Sequence, residues 1–411
     1  MKICLIIDDY LPSSIKVGAK MMHELACELE QQGHQVTVVT PAPFIEESIK
    51  IETLDNITIC RFKSLKIKSI NKVSRTISET LLSFYAWTRL KKYFQQNRHD
   101  LIIYYSPTVF WGSLVSKLKR LWGAKSYLVL RDFFPQWAID QGLITKGSPI
   151  EKYFRFFEKK SYDVADTIGI MSKKNLEIFK KNYGKHSNIE VLHNWAKNIP
   201  LSSTSTYYRD KLNLHGKVVY FYGGNIGFAQ DMMNIVRLAN NMKNDEKAFF
   251  ILVGSGDEVN IVEKAIIKYD LKNMLLLPAI SQDEFKIMLS EFDVGLFTLD
   301  SQHTTHNFPG KLLGYMVEGL PILGSINEGN DLKEILDEYE AGLTSINPDD
   351  TLFYENAKKF LNADYRKEVG KINGRKLLIE KFSVLTISQQ ILASSQKVYA
   401  VPSQQYRKAL S

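Results

Sequence analysis

Three short segments of this 411-residue chain place glycine, lysine and small polar residues where a β-branched run gives way to a helical pattern. Gly223-Gly224-Asn225-Ile226-Gly227 follows the run Val218–Tyr222 and precedes a helical pattern near Gln230. Glycines at such a turn let backbone N–H groups approach a phosphate at a helix N-terminus, where the dipole favours negative charge. They equally serve a tight turn that needs positive φ, and the motif alone leaves both readings open. Gly254-Ser255-Gly256-Asp257 closes the next run in the same manner. A third segment, His303 to Lys311, carries His306, Asn307, Phe308, Pro309 and Gly310 into the helical pattern Leu312 to Glu318. Pro309 suits a first helical turn, and the amides of Gly310 and Lys311 would point at an anion. The charge of Lys311 opposes the dipole at a helix start, which favours a ligand over chance. Gly18, opening a helix soon after Asp8, faces the same anion or is a plain cap.

These turns need a scaffold of alternating strands and helices, and the chain has that rhythm twice. Ile3–Ile7, Val36–Val39, Ile57–Phe62, Leu101–Tyr105, Tyr127–Leu130, Ile168–Ile170 and Ile189–Leu192 read as strands of a first sheet. Met22, Leu25, Ala26 and Leu29 fall at helical spacing, so Gly18 to Gln31 is a helix with one buried stripe, stopped by Gly33. The rhythm lapses in the polar stretch from Asn198 to Ser205 and restarts with Val218–Tyr222, Phe249–Val253, Met274–Leu277, Val294–Leu299, Pro321–Leu323 and Leu343–Ile346. The expected organisation is a first doubly wound α/β domain over 1–198, joined by a returning helix at 385–411, and a second over 199–384. Ile150, Tyr153, Phe154 and Phe157 have helical spacing and are expected in the core.

With 45% hydrophobic and 24% charged residues, disorder and collagen-like structure are excluded. Cys4, Cys27 and Cys60 are odd in number and widely spaced, which shows neither a disulfide framework nor a metal pattern and fits a reducing cytoplasm. The apolar start, Ile3 to Ile7, is too short for a signal peptide or spanning helix, so any membrane contact is expected to be peripheral. The net charge of +8 is unevenly placed: residues 1–198 hold thirty basic and nineteen acidic side chains, residues 199–411 twenty-three and twenty-six. The basic half therefore invites an anionic partner.

The order Gly-Gly-Asn-Ile-Gly, Val-Gly-Ser-Gly, Asp293-Val294-Gly295-Leu296, Pro309-Gly310-Lys311-Leu312-Leu313-Gly314-Tyr315-Met316 and Gly319-Leu320-Pro321 resembles the donor domain of retaining glycosyltransferases of family 4. Pro12, Gly18, Leu25-Ala26, Gly33-His34 and Val36–Thr40 agree in the first domain, and Phe382-Ser383-Val384 with its following helix matches the returning crossover. The resemblance implies the GT-B fold, two Rossmann-like domains with a cleft between them. It also implies transfer of a sugar from a UDP-sugar donor, with retention, no metal and no further cofactor. Gly-Asn-Ile-Gly with Ala229-Gln230 is similar to the bacterial subgroup that adds N-acetylated deoxyhexosamines such as L-fucosamine to a polyprenyl-diphosphate-linked saccharide, in O-antigen or capsule assembly. The enzyme is then expected on the cytoplasmic face of the inner membrane, held by its basic first half.

On this resemblance the donor contacts are Gly18, Gly224, Asn225, Ile226, Gly227, Gln230, Gly254, His306 to Lys311 and Glu318. Asp132 orients or deprotonates the acceptor and Arg131 contacts phosphate, or the two form a structural pair that caps the helix that follows. The chain departs from the family at several of these places. His306 and Gly314 stand where two glutamates eight apart hold the donor, so Glu318, one turn further on, is expected to reach the ribose or to be a plain surface residue. Asn225 and Gln230 replace an arginine and a lysine of the phosphate loop. Arg61 to Arg98 holds ten basic residues and one acid, Glu79, interleaved with apolar side chains; it lies on an anionic bilayer or packs its apolar residues in the core. Two other functions stay open at this level, a nucleotide-sugar 2-epimerase on the same architecture and a nucleic-acid-binding protein. No nucleic-acid module is recognisable, and nucleic acid is not an expected partner.

Overall fold

A computed structural model describes residues 1–14, 16–67, 71–184, 186, 188–201, 205–301 and 309–397. The chain forms two compact units, one of residues 1–193 with the C-terminal helix from Val384, the other of Asn194–Ser383.

The first unit is built on β1 (Lys2–Ile6), β2 (Gln35–Pro41), β3 (Ile49–Leu54), β4 (Ile57–Phe62), β5 (Leu101–Tyr105), β6 (Lys125–Leu130), β7 (Thr167–Ile170) and β8 (Ile189–Val191). Their order is β3-β4-β2-β1-β5-β6-β7-β8, all parallel except β3. Burial of Ile3, Leu5, Val38, Ile102 and Val129 on both faces explains the continuous apolar runs, as expected where helices cover a parallel sheet. β3 is an addition to the seven strands read from sequence. It pairs antiparallel with β4 through a turn whose Asp55 and Asn56 have positive φ, and its edge position leaves Lys50 and Ile51 exposed, so it lacks an apolar signature.

The helices of this unit are α1 (Val17–Gln31), α2 (Lys72–Thr80), α3 (Leu82–Gln96), α4 (Gly112–Trp122), α5 (Gln136–Asp140), α6 (Pro149–Asp163) and α7 (Lys173–Tyr183). In α1, Met22, Leu25, Ala26 and Leu29 are buried, and Gly33 at φ +85° takes the left-handed conformation that ends it. Ser148 caps α6 by accepting from the Glu151 N–H, with Pro149 at the first position. On α6 the structure corrects the expected core stripe. Phe154 is buried, but Ile150 is 59% and Tyr153 38% exposed, and Phe156 reaches 61%. The helix has two apolar faces, and only the one carrying Phe154 is buried, against Val109 and Phe110.

The second unit holds β9 (Val218–Asn225), β10 (Ala248–Ser255), β11 (Met274–Pro278), β12 (Val294–Thr298), β13 (Ile322–Ile326) and β14 (Gly342–Ile346), parallel throughout in the order β11-β10-β9-β12-β13-β14. Helices α8 (Tyr207–Lys211), α9 (Met232–Asn241), α10 (Val259–Lys268), α11 (Gln282–Glu291), α12 (Gly310–Glu318), α13 (Asp331–Tyr339) and α14 (Asp350–Lys359) flank it. A capping box between Ser281 and Glu284 starts α11. In both sheets the strand order reverses direction beside the first strand, between β1 and β5 and between β9 and β12. Turns leaving the sheet diverge there and open a crevice at the carboxyl edge.

The helix Val384–Lys397 packs on α1 and β6 and buries Val384, Ile387 and Ile391. The Gln390 side chain donates to the Val191 carbonyl, and Gln32 donates to the Ser388 hydroxyl. Ile387→Ala or Ile391→Ala is therefore expected to cost about 2–5 kcal/mol. Urea unfolding followed by tryptophan fluorescence checks this, since four of the five tryptophans, Trp87, Trp111, Trp122 and Trp137, lie in the first unit.

Candidate functional site

In the second unit the carboxyl edge between β9 and β12 is occupied by Lys311. Its Nζ lies 3.8 Å from the centre of the Tyr222 ring, and a Cβ on Gly224 would stand 3.3 Å from that nitrogen. Burial pushes the ammonium down to about 7. No carboxylate among the described residues pairs with it, so its charge is balanced only by the face of an aromatic ring. α12 begins at Gly310 with Pro309 as its N-cap, φ −69° and ψ 135°, and no side chain caps it. Among the described residues, a cation without a carboxylate partner thus belongs to the uncapped first turn of a helix, a combination that suits an anion with several oxygens.

Tyr315 holds this arrangement in place. One turn beyond Lys311 it lies flat on Gly295, where any Cβ would come within 2.3 Å of the ring. Its hydroxyl donates to the carbonyls of Leu296 at 3.1 Å and Phe221 at 3.3 Å, tying α12 to β12 and β9.

The glycine turns divide into those that open the site and those that close the fold. Gly224 has φ +134°, a conformation other residues rarely adopt, and it is exposed beside Lys311. Gly227 starts a short 3₁₀ turn and lies between the Asn225 amide and the Asp257 carboxylate. The Asn225 side chain donates to Gln230 Oε1 at 2.8 Å, so these two brace each other across the turn. Ile226 departs from the expected donor contact: its side chain is fully buried, its N–H donates to Ser255 and its carbonyl accepts from Glu258. Gly254 likewise has a reason independent of any ligand, because a Cβ there would fall 1.8 Å from the Gly224 carbonyl oxygen.

Glu318 is the clearest correction. It sits at the C-terminal end of α12, a nine-residue helix, away from Lys311, and its Oε1 accepts from the Leu201 N–H at 3.0 Å. Burial raises its carboxyl, with the Leu201 bond and Arg375 opposing. Through this bond it braces the segment entering this unit. At Gly314 a Cβ would stand 3.1 Å from the Leu289 side chain. His306, Asn307 and Phe308 lie outside the described residues.

In the first unit, Asp132 follows β6 and is exposed, while Arg131 is buried. The phosphate contact expected of Arg131 is corrected by its geometry. The guanidinium donates to the carbonyls of Leu192 at 2.6 Å and His193 at 3.1 Å, which joins the ends of β6 and β8. Burial pushes it down to about 10. The Asp132 carboxyl is raised by desolvation, opposed by Arg131. Sequence reasoning missed Tyr105, the last residue of β5, which burial pushes up to about 12, with Arg131, Asp132 and Asp8 close enough to influence it. A Cβ on Gly18 would lie 2.9 Å from its hydroxyl oxygen, so that glycine makes room for the ring. Its signal was its place at a strand end ahead of Ser106-Pro107. Asp8 is also raised by burial, with Lys16 opposing.

A separate cluster on α1 brings His23, Cys27 and Asp55 within 4.8 Å of one another, which cysteine spacing does not reveal. Its polar atoms satisfy each other: His23 Nε2 is 2.9 Å from Asp55 and Nδ1 2.8 Å from the Tyr10 hydroxyl.

Two substitutions test the second-unit site. Lys311→Met removes a desolvated charge and is expected to raise thermal stability at pH 7 in the absence of ligand, the reverse of the usual effect at a packed position. Gly254→Ala is expected to destabilise by about 3 kcal/mol or more, because backbone must move to admit the methyl. Calorimetry of both variants beside the parent decides the two signs.

Comparison with known proteins agrees with this geometry. Residues 18–196 match the family described as Glycosyltransferase Family 4. WcaI of Escherichia coli, whose name assigns it to colanic acid biosynthesis as a glycosyl transferase, is 24% identical over 78% of this chain and 82% of its own. WbjE of Pseudomonas aeruginosa, named as a glycosyltransferase, is 25% identical over 55% of this chain and 57% of its own. That match spans little more than half of either protein. Among solved structures, the sucrose-phosphate synthase of Thermosynechococcus elongatus superposes with a TM-score of 0.68 at 15% identity, covering 97% of this chain and 99% of that one. HepE of Anabaena in complex with UDP gives 0.68 at 13% identity, covering 97% and 100%. The chain therefore has two Rossmann-like domains of the GT-B type, with the Glycosyltransferase Family 4 match lying in the first.

Proposed function

We propose that this protein is a metal-independent, retaining glycosyltransferase of surface-polysaccharide assembly. The donor is a UDP-sugar, and an N-acetylated deoxyhexosamine such as L-FucNAc is the sugar we favour. The acceptor is a polyprenyl-diphosphate-linked saccharide. The observation that carries the reading is the unpaired Lys311 ammonium beside the uncapped start of α12. A nucleoside diphosphate supplies the negative charge missing there, and UDP complexes on the same fold, such as that of HepE, support the choice. Among the described residues no helix is long and apolar enough to cross a membrane.

In this reading the bond from the sugar's anomeric carbon to the β-phosphate oxygen breaks as the acceptor oxygen bonds to the same carbon. Charge gathers on the leaving phosphate, where the Lys311 ammonium and the amides of Gly310 and Lys311 stabilise it without a metal. Asp132 accepts a hydrogen bond from the acceptor hydroxyl and orients it. The hydroxyl proton leaves to the departing phosphate, consistent with retention. Arg131 positions Asp132 by tying down the end of β6.

The first test is a thermal-shift panel of UDP, GDP, ADP and CMP, in which UDP gives the largest stabilisation; no shift with any nucleotide overturns the reading. UDP affinity also depends on pH with a definite sign. Lys311 titrates at about 7 in the free protein, and the bound diphosphate favours the ammonium. Affinity is therefore full below pH 7 and weakens as the pH rises above it, by up to about tenfold per unit until the higher value of the complex is reached. Titration calorimetry between pH 6 and 9 follows this, and Lys311→Met removes the dependence along with most of the affinity. Asp132→Asn is expected to keep UDP affinity within about twofold while transfer falls at least about a hundredfold. Unchanged turnover removes Asp132 from its role.

A further inference from the structure

We infer that the face of the first unit formed by α2, the start of α3 and α6 docks on an anionic lipid bilayer. The inference deepens the reading above, in which the acceptor is lipid-linked, by naming the surface that meets the lipid.

Val73, Ile77 and Phe84 are 71%, 54% and 55% exposed, and their spacing of four and seven residues puts them on one side of an almost continuous helical path. The Leu81 N–H donates to Ile77 and the Tyr85 N–H to Leu81, which carries the path across the break between α2 and α3. The hydroxyl of Thr80, on the same side, lies 2.6 Å from that of Tyr153, so α6 is the immediate neighbour. Exposed Ile150 and Phe156 continue the surface on α6, where the Tyr153 ring packs on Phe157 and Phe157 on Phe156.

The charges on this face distinguish a bilayer from a protein partner. Lys72 on α2 and Lys152 and Lys160 on α6 are exposed, and among the described residues none has a carboxylate within ion-pair distance. Exposed apolar side chains and exposed lysines thus occur on the same helices. Such a surface lets aliphatic and aromatic groups enter the acyl boundary while ammonium groups reach the phosphates. The basic excess of the first half of the chain agrees in sign.

The test is flotation of the full chain with vesicles of phosphatidylcholine alone or with about one-third phosphatidylglycerol, at low and high salt. The parent is expected to bind anionic vesicles at least about tenfold better than neutral ones. A Lys152→Glu/Lys160→Glu variant loses that advantage. An Ile77→Ser/Phe156→Ser variant binds weakly and is released by about 0.5 M salt. All four positions are exposed, and an unchanged urea transition followed by tryptophan fluorescence shows that the first unit of each variant is folded. Equal binding to both vesicle types, or a charge variant that floats like the parent, overturns the inference. Concentration-dependent dimerisation abolished by the serine variant, without lipid binding, also overturns it and gives the face to a second copy. Failure here with an intact UDP shift leaves the transferase reading standing; loss of the UDP response in the parent removes that reading instead.

Discussion

An ammonium held over the Tyr222 ring without a carboxylate is the constraint around which the second unit is arranged. A desolvated cation with no anion is unfavourable, and the fold tolerates it only because several neighbours leave it no other place. Tyr315 locks α12 to the carbonyls of β9 and β12, which sets where Lys311 leaves the helix. Gly224 lets the strand end pass against the ammonium, and Gly254 lets the next strand close on Gly224. Each glycine is dictated by contact at its own Cβ position, and together they present the lysine at the carboxyl edge. A local conflict of this kind is the physical ground for the proposed donor site, in which the ligand would supply the balancing charge.

The first unit solves a different problem. Arg131 looked like an anion-binding residue because it follows a strand and adjoins an acid, but its guanidinium caps two carbonyls at the end of β8. What remains accessible is Asp132, raised by desolvation and held against a large fall in acidity by the buried cation beside it. The pair acts as one device, with the arginine determining the carboxylate's place and charge. Tyr105 and Gly18 extend it toward β5 and α1, because the ring occupies the space that the glycine leaves empty.

Strand positions were legible because parallel strands buried on both faces must be continuously apolar, and the thirteen read from the sequence all appear within a few residues of their expected limits. The edge strand Ile49–Leu54 was not, since one half-exposed strand of alternating charge looks like a loop. Lys311, Gly310 and Gly224 were legible from a turn chemistry that local sequence controls. Arg131, Ile226 and Glu318 share one feature that was not legible: their partners, Leu192, Ser255 and Leu201, are brought to them by tertiary structure that adjacency cannot reveal. Helical spacing on α6 showed that apolar residues recur, but not which of two apolar faces would be buried.

Net charge turns out to describe two unlike electrostatic devices. The acidic excess of residues 199–411 coexists with a site for an anion, because one desolvated lysine and oriented amides concentrate potential where many solvated lysines would not. The basic excess of residues 1–198 is spread over exposed side chains, each screened by salt and each weak alone. A small, doubly charged ligand is met by burial, and a broad charged surface by numbers. A count of lysines and arginines therefore bears only on the second kind of device and is silent on the first, which depends on the surroundings of Lys311.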